Sequence, residues 1–218
     1  LPLMPAGKAS DPFLDMAGNA IAAVDRAVDV GLVDPDRLGI MGVSYGGYST
    51  YAVLSLTKMF KAGVAVAAPV DLISTYGTFN ARLRYSRDPG VSWTGERWAE
   101  GDQGRMGGTI WQDRWRYLAN SPIAYLDRIF TPLLLVHGDM DPVPIQQAEE
   151  AFSGLARLGR RVRFVRYWGE GHQFDSPANI RDAWNRIFHW FDDYLRPRVL
   201  SRSVTAAENP DNPSAGSH

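Results

Sequence analysis

The sequence predicts an α/β fold in which a mostly parallel sheet is covered by helices on both faces. Three observations carry this reading. Continuous apolar runs at residues 38–43, 62–68 and 132–138 have the composition of strands buried on both sides. The segments at 11–29, 145–158 and 176–195 repeat apolar residues at three- and four-residue steps. Strand and helix then alternate along the chain, which calls for parallel pairing with helical crossovers. With 218 residues, 45% hydrophobic and 22% charged, the chain can bury one sizeable core but has no room for a second full domain.

A net charge of −1 supplies no field for nucleic acid or an anionic membrane, and no apolar run approaches a bilayer span. The expected partners are small molecules or peptides, with no nucleic acid and no membrane. The absence of cysteine excludes disulfides and thiol catalysis and leaves the compartment open.

Residues 1–5 read as the end of an apolar strand that runs into a loop at 6–10. Ser10 suits an N-cap, Asp11 and Pro12 suit a first helical turn, and Leu14, Ala17, Ile21, Val24 and Val28 mark the buried stripe of a helix that stops near Gly31. A turn at 34–37 leads into strand 38–43, and a helix follows to about Met59. Strand 62–68 is halted by Pro69. From 71 to 128 the periodicity fades, while Tyr76, Phe79, Trp93, Trp98, Trp111, Trp115 and Tyr117 accumulate. Two readings stand: a helical excursion whose aromatics pack on the sheet, or a cap whose aromatics line a pocket.

Strand 132–138 is followed by a turn at 139–144 and a helix at 145–158 that ends at Gly159. Residues 162–168 alternate as a strand near a sheet edge does. The last helix, 176–195, carries Ile180, Trp184, Ile187, Phe188 and Phe191 on one predicted face. Residues 1–196 thus form one domain, and the Ser-, Ala-, Asn- and Pro-rich residues 197–218 read as a disordered tail.

Candidate chemistry begins with Gly42-Val43-Ser44-Tyr45-Gly46, a Gly-x-Ser-x-Gly between a strand and a helix. In a nucleophile elbow the serine holds a strained backbone, and small neighbours let strand and helix approach; Gly42 and Gly46 are expected to meet that demand, and Gly47 leaves further room. Such a turn lifts the Ser44 hydroxyl above the strand end and leaves the Tyr45 N–H at a helix start, a donor for an oxyanion.

In an open parallel sheet ligands bind beyond the carboxyl ends of the strands. Ser44, the pair Asp139 and Asp141, and His172 each follow a strand there, in the chain order of an α/β-hydrolase. Serine needs a base. His218 lies in the tail, His189 in the last helix and His137 at the end of a buried strand, which leaves His172 on its glycine-flanked loop. Asp141 stands far enough round the turn to orient that imidazole, with Asp139 expected to accept an N–H of its own turn. Glu170 either tunes His172 or faces water. The arginines from Arg157 to Arg166 read as a helix C-terminus and the solvent side of a strand. No metal-ligand spacing or phosphate loop is present, so the chemistry is expected to need no cofactor and no metal.

Residues 33–48, Asn120-Ser121-Pro122-Ile123, His137-Gly138-Asp139-Met140-Asp141 and Gly171-His172 together resemble the catalytic domain of the prolyl oligopeptidase family of serine peptidases. That family includes acylaminoacyl peptidases, dipeptidyl peptidases and plant glutamyl endopeptidases. The resemblance covers about residues 14–195 and implies an α/β-hydrolase fold with Ser44 as nucleophile, Asp141 as its acid and His172 as base, the residues chosen above. It also implies an N-terminal β-propeller or similar domain, several earlier strands and an oxyanion donor, all before the position of Leu1. The chain is therefore expected to be a C-terminal piece lacking its N-terminal strands, with an open sheet edge that favours a homo-oligomer. The expected function is serine-type hydrolysis of short peptides through an acyl-enzyme. The alternatives are a carboxylesterase with the same triad and a non-catalytic interaction module with a relic elbow.

Overall fold

The computed structural model describes residues 11–80 and 94–196. The expectations for residues 1–10, Trp93 and the tail at 197–218 lie outside the described residues. The chain runs α1 (Pro12–Asp29), a 3-10 turn (Pro35–Arg37), β1 (Gly39–Val43), α2 (Tyr45–Leu56), β2 (Ala62–Val66), α3 (Leu72–Tyr76), α4 (Gly95–Glu100), α5 (Arg114–Ala119), a 3-10 segment (Pro122–Arg128), β3 (Leu133–Gly138), α6 (Gln146–Arg157), β4 (Val162–Tyr167) and α7 (Pro177–Leu195).

The four strands pair in the order β1-β2-β3-β4, all parallel, with Gly39 opposite Ala62, Gly63 opposite Leu133 and Leu133 opposite Val162. The two-residue period of a strand divides β3 between two cores. Leu133 and Leu135 join Phe13, Tyr48, Tyr51, Leu54 and Leu155 from α1, α2 and α6. Leu134 and Val136 join Ala183, Ile187 and Trp190 of α7. Helices on both faces follow from this division. β3 is buried along its whole length, whereas β1 forms one edge of the described sheet and leaves Val43 47% exposed.

Two local expectations change. The N-cap of α1 is Asp11, and the helix buries Phe13, Met16 and Ala17 while Leu14 is exposed, so the stripe is rotated by about one residue. Ala20, Ile21 and Val24 still pack against the core. On α7 the buried residues are Ala183, Ile187 and Trp190, and Ile180, Trp184 and Phe188 face solvent. That helix carries two apolar stripes, and packing selects the one containing the small Ala183. In the 71–128 excursion the two readings apply to different residues. Tyr76, Trp98 and Tyr117 are core, whereas Phe79, Trp111 and Trp115 are exposed. Ile73, Tyr76, Phe79, Glu96, Ile110 and Trp111 line an open cavity of about 550 Å³.

Candidate active site

The elbow forms where β1 meets α2. Ser44 has φ 58° and ψ −122°, a backbone that L-residues rarely adopt, and its N–H donates to Val66 O at 2.8 Å, tying the tip to β2. A Cβ at Gly42 would overlap the Gly46 carbonyl, and one at Gly47 would press on Ala68. Gly46 differs from the expectation: a Cβ there meets nothing, because it is the backbone of Gly46, not its missing side chain, that packs against Gly42.

Tyr45 opens α2, so its N–H has no acceptor within the helix. Its ring stacks on Tyr48 at 5.4 Å and meets Trp98 edge-on. Burial pushes its phenol up to about 12, and among the described residues its hydroxyl has no hydrogen-bond partner.

The acid–base side is built by the loops after β3 and β4. Asp141 is buried, accepts the Val143 N–H on Oδ1 at 2.7 Å, and lies 2.9 and 3.1 Å from His172 Nδ1 through its two oxygens. A carboxylate on Nδ1 holds the proton there and leaves Nε2 as the basic nitrogen. The hydrogen bond to Asp141 raises the His172 pKa above its ordinary value, with burial opposing.

His137 is perturbed in the other direction. It is fully buried, and burial pushes its pKa down. Its Nε2 lies 2.9 Å from Val143 O and 3.6 Å from Asp141 Oδ2. Since a carbonyl only accepts, Nε2 carries the proton, and the ring steadies the turn that holds Asp141.

Asp139 does not cap its own turn. Its Oδ1 accepts from Gly169 N at 2.6 Å, and its N–H donates to Tyr167 O at 3.1 Å, so it ties the β3 loop to the β4 loop. Met140 N donates to Glu170 O at 2.9 Å across the same gap. Gly138 permits this approach, because a Cβ there would overlap the Glu170 carbonyl. Glu170 neither touches His172 through a hydrogen bond nor faces water; it is buried, and its carboxylate accepts from the start of α7.

These cross-links are what sequence reasoning missed. A glycine and an acid next to each strand end were the available signals, but their partners lie on another loop.

Ser44, Asp141 and His172 thus stand after β1, β3 and β4 on one edge of the sheet. Asp141 and His172 are hydrogen-bonded to each other, and Ser44 makes no hydrogen bond to His172. Among the arginines, Arg166 pairs with Glu149 at 3.0 Å, and Arg160 lies over the Phe130 ring and donates to Asp127 O.

Known proteins resemble this chain over most of its length. The prolyl oligopeptidase family matches residues 17–198. An uncharacterized peptidase of Bacillus subtilis, YuxL, is 30% identical over 190 residues, 83% of this chain and 26% of the relative. Dipeptidyl-peptidase 5 of Porphyromonas gingivalis is 31% identical over 183 residues, 81% of this chain and 24% of the relative. A puromycin-hydrolyzing peptidase of Mycobacterium tuberculosis superposes with a TM-score of 0.70 at 27% identity, over 86% of this chain and 27% of that one. The chain spans about a quarter of the length of these curated relatives.

Proposed function

The chain belongs to the prolyl oligopeptidase family, and from that premise we propose that it carries the triad of a serine peptidase acting on short peptides. The observation that supports this most is the His172–Asp141 hydrogen bond at 2.9 Å on the sheet edge that also holds the strained Ser44.

In this reading Ser44 Oγ attacks the scissile carbonyl while His172 Nε2 takes its proton. Asp141 stabilises the resulting imidazolium. The Tyr45 N–H, at the positive end of α2, binds the oxyanion of the tetrahedral intermediate. Collapse returns the proton from His172 to the leaving amine and leaves Ser44 acylated. Water, deprotonated by the same imidazole, then releases the acid.

The rest of the site belongs to the longer protein that its relatives' length suggests. We assign to that part a strand pairing with the open edge of β1, a second oxyanion donor, and an N-terminal domain, a β-propeller by family resemblance. An open groove of about 600 Å³ lined by Met16, Ala20, Ile40, Met41, Tyr45 and Arg105 lies along that edge and is the space such a strand would enter.

A fluorophosphonate probe applied to the natural full-length protein should label Ser44, as peptide mapping would show. A folded protein that stays unlabelled, or a Ser44→Ala variant labelled equally, would refute the proposal. Turnover of peptides against esters of the same acyl group separates a peptidase from a carboxylesterase; ester without amide hydrolysis would select the latter.

A further inference from the structure

His172 sits on a loop that its own composition does little to hold. Gly169 at φ +76° and Gly171 flank Glu170 and leave the backbone free to move. Nevertheless the loop is fixed at one residue from two directions. The Glu170 main-chain carbonyl accepts Met140 N at 2.9 Å, on the turn that carries Asp141. Its side chain, in a residue only 3% exposed, accepts Asp175 N on Oε2 at 2.7 Å, and Ser176 N at 3.2 Å and Asn179 Nδ2 at 2.6 Å on Oε1. Ser176 is the N-cap of α7, so the carboxylate closes the 170–176 loop onto a helix start, where negative charge is favoured.

We propose that Glu170 is a positioning residue for the acid–base pair: its carbonyl holds the Asp141 turn, its carboxylate holds the His172 loop, and together they set the His172–Asp141 hydrogen bond. The catalytic meaning rests on the reading of His172 as base. The hydrogen-bond geometry can be tested without it. Were Glu170 only a cap for α7, its substitution would lower the melting temperature and leave the His172–Asp141 bond unchanged.

Glu170→Gln separates the two. The amide nitrogen it introduces must face Asp175 N on one side or Ser176 N and Asn179 Nδ2 on the other, a donor against donors in either orientation. The readout is the low-field proton resonance of His172 Nδ1–H in the isotope-labelled natural full-length protein, together with the ring's titration. The groups that bear on this ring are Asp141 from the β3 loop and the neighbouring His137. In the Glu170→Gln protein the Nδ1–H signal should move upfield or broaden away, and the ring pKa should fall toward its ordinary value. A shift in the ring's titration with the Nδ1–H signal unchanged would reflect charge alone and overturn the proposal.

The probe-labelling rate of the natural full-length protein should fall about 10- to 100-fold, the penalty of a slightly misplaced catalytic group, with KM for a peptide nearly constant. Adding Asn179→Asp supplies an acceptor for the new amide and should restore part of the signal and of the rate, Ser176 N still facing the amide nitrogen. A folded Glu170→Gln protein with an unchanged Nδ1–H resonance overturns the proposal. Should that variant not fold, Asn179→Ala, which removes one donor, decides: a weakened Nδ1–H signal supports the proposal and an unchanged one overturns it. If the wild-type serine is never labelled while the resonance still responds to Glu170→Gln, the peptidase reading falls and the positioning role stands.

Discussion

On the β3–β4 side of the sheet every turn of the site is tied to another element: Asp139 to Gly169, Met140 to Glu170, Asp141 to His172, and Glu170 to the start of α7. On the β1 side the elbow is shaped by local geometry, Ser44 being held in its strained conformation by one bond to Val66 and by the contact of Gly42 with Gly46. Beyond β1, among the described residues, lies an open groove and no neighbouring strand. In the proposed site, the acid–base half is therefore tied together by described residues, while the elbow of the nucleophile half borders the open edge of β1. Predictions that strike the two halves differently test that contrast.

The largest effects should not distinguish the halves. Ser44→Ala and His172→Ala should each remove activity of the natural full-length protein by about 10⁶-fold in kcat, and Asp141→Asn by about 10⁴-fold, because the groups act as a unit. Steady-state peptide hydrolysis measures this. A Ser44→Ala loss of only a few-fold would show that the elbow is not the nucleophile.

The next effect belongs to the β1 side alone. If its flank is completed by polypeptide outside these residues, the 218-residue chain should hydrolyse peptides about 100- to 1,000-fold more slowly than the natural full-length protein, the usual cost of one oxyanion donor. It should also self-associate through the unpaired edge. Equal rates together with a monodisperse monomer in light scattering would mean that the flank needs nothing more.

Glycine substitutions then probe each half by sterics. Gly42→Ala pushes α2 away from β1, and Gly138→Ala pushes the β4 loop away from Asp141; each should cost about 1–3 kcal/mol or more in chemical denaturation. Gly138→Ala should also weaken the His172 Nδ1–H resonance, which Gly42→Ala should spare. Gly46→Ala, with open space around its Cβ, should be neutral or stabilise by about 0.5–1 kcal/mol as a helical Gly-to-Ala change does. A Gly46→Ala variant less stable than Gly42→Ala would reverse the packing described for the elbow.

The same contrast explains what was legible in the sequence. The strand runs and the order of Ser44, Asp141 and His172 are local or sequential features, and each lies where its pattern puts it. The partners of Asp139 and Glu170 are set by two loops meeting in space, and a residue's own neighbours in sequence carry no trace of that meeting. Of the expected α7 stripe, Ile187 and Phe191 pack on the sheet, while Ile180, Trp184 and Phe188, as apolar as Ala183 and Trp190, face solvent, because only the sheet's surface selects between the two stripes.

The smallest effect concerns the two histidines beside one carboxylate, Asp141. His172, whose pKa is raised by Asp141, binds its proton more tightly folded than unfolded. Its contribution to stability is present below the ordinary histidine value of about 6.5 and fades as pH rises through the higher folded pKa. His137, whose pKa burial lowers, resists its proton in the folded state, so stability is lost as pH falls from about 6.5 toward that lower value. The carboxylates of Asp34, Glu170 and Asp182, held below their ordinary range, contribute little slope above pH 5, while Glu150, whose carboxyl is raised by burial, adds some stability on acidification and so softens the acid-side decline. Melting temperature should therefore rise slightly on acidification from pH 8, pass a maximum near neutrality or just below, and then decline. Catalysis requires the opposite state of His172: the rate should climb with pH through a value above 6.5 as the imidazole becomes neutral. His137→Gln, whose amide can still donate to Val143 O, should flatten the acid-side fall in melting temperature and leave the acid limb of the rate profile nearly in place. Parallel melting curves for wild type and His137→Gln from pH 5 to 7 would show that the buried imidazole does not resist protonation, and a rate independent of pH from 5 to 8 would remove His172 as the base.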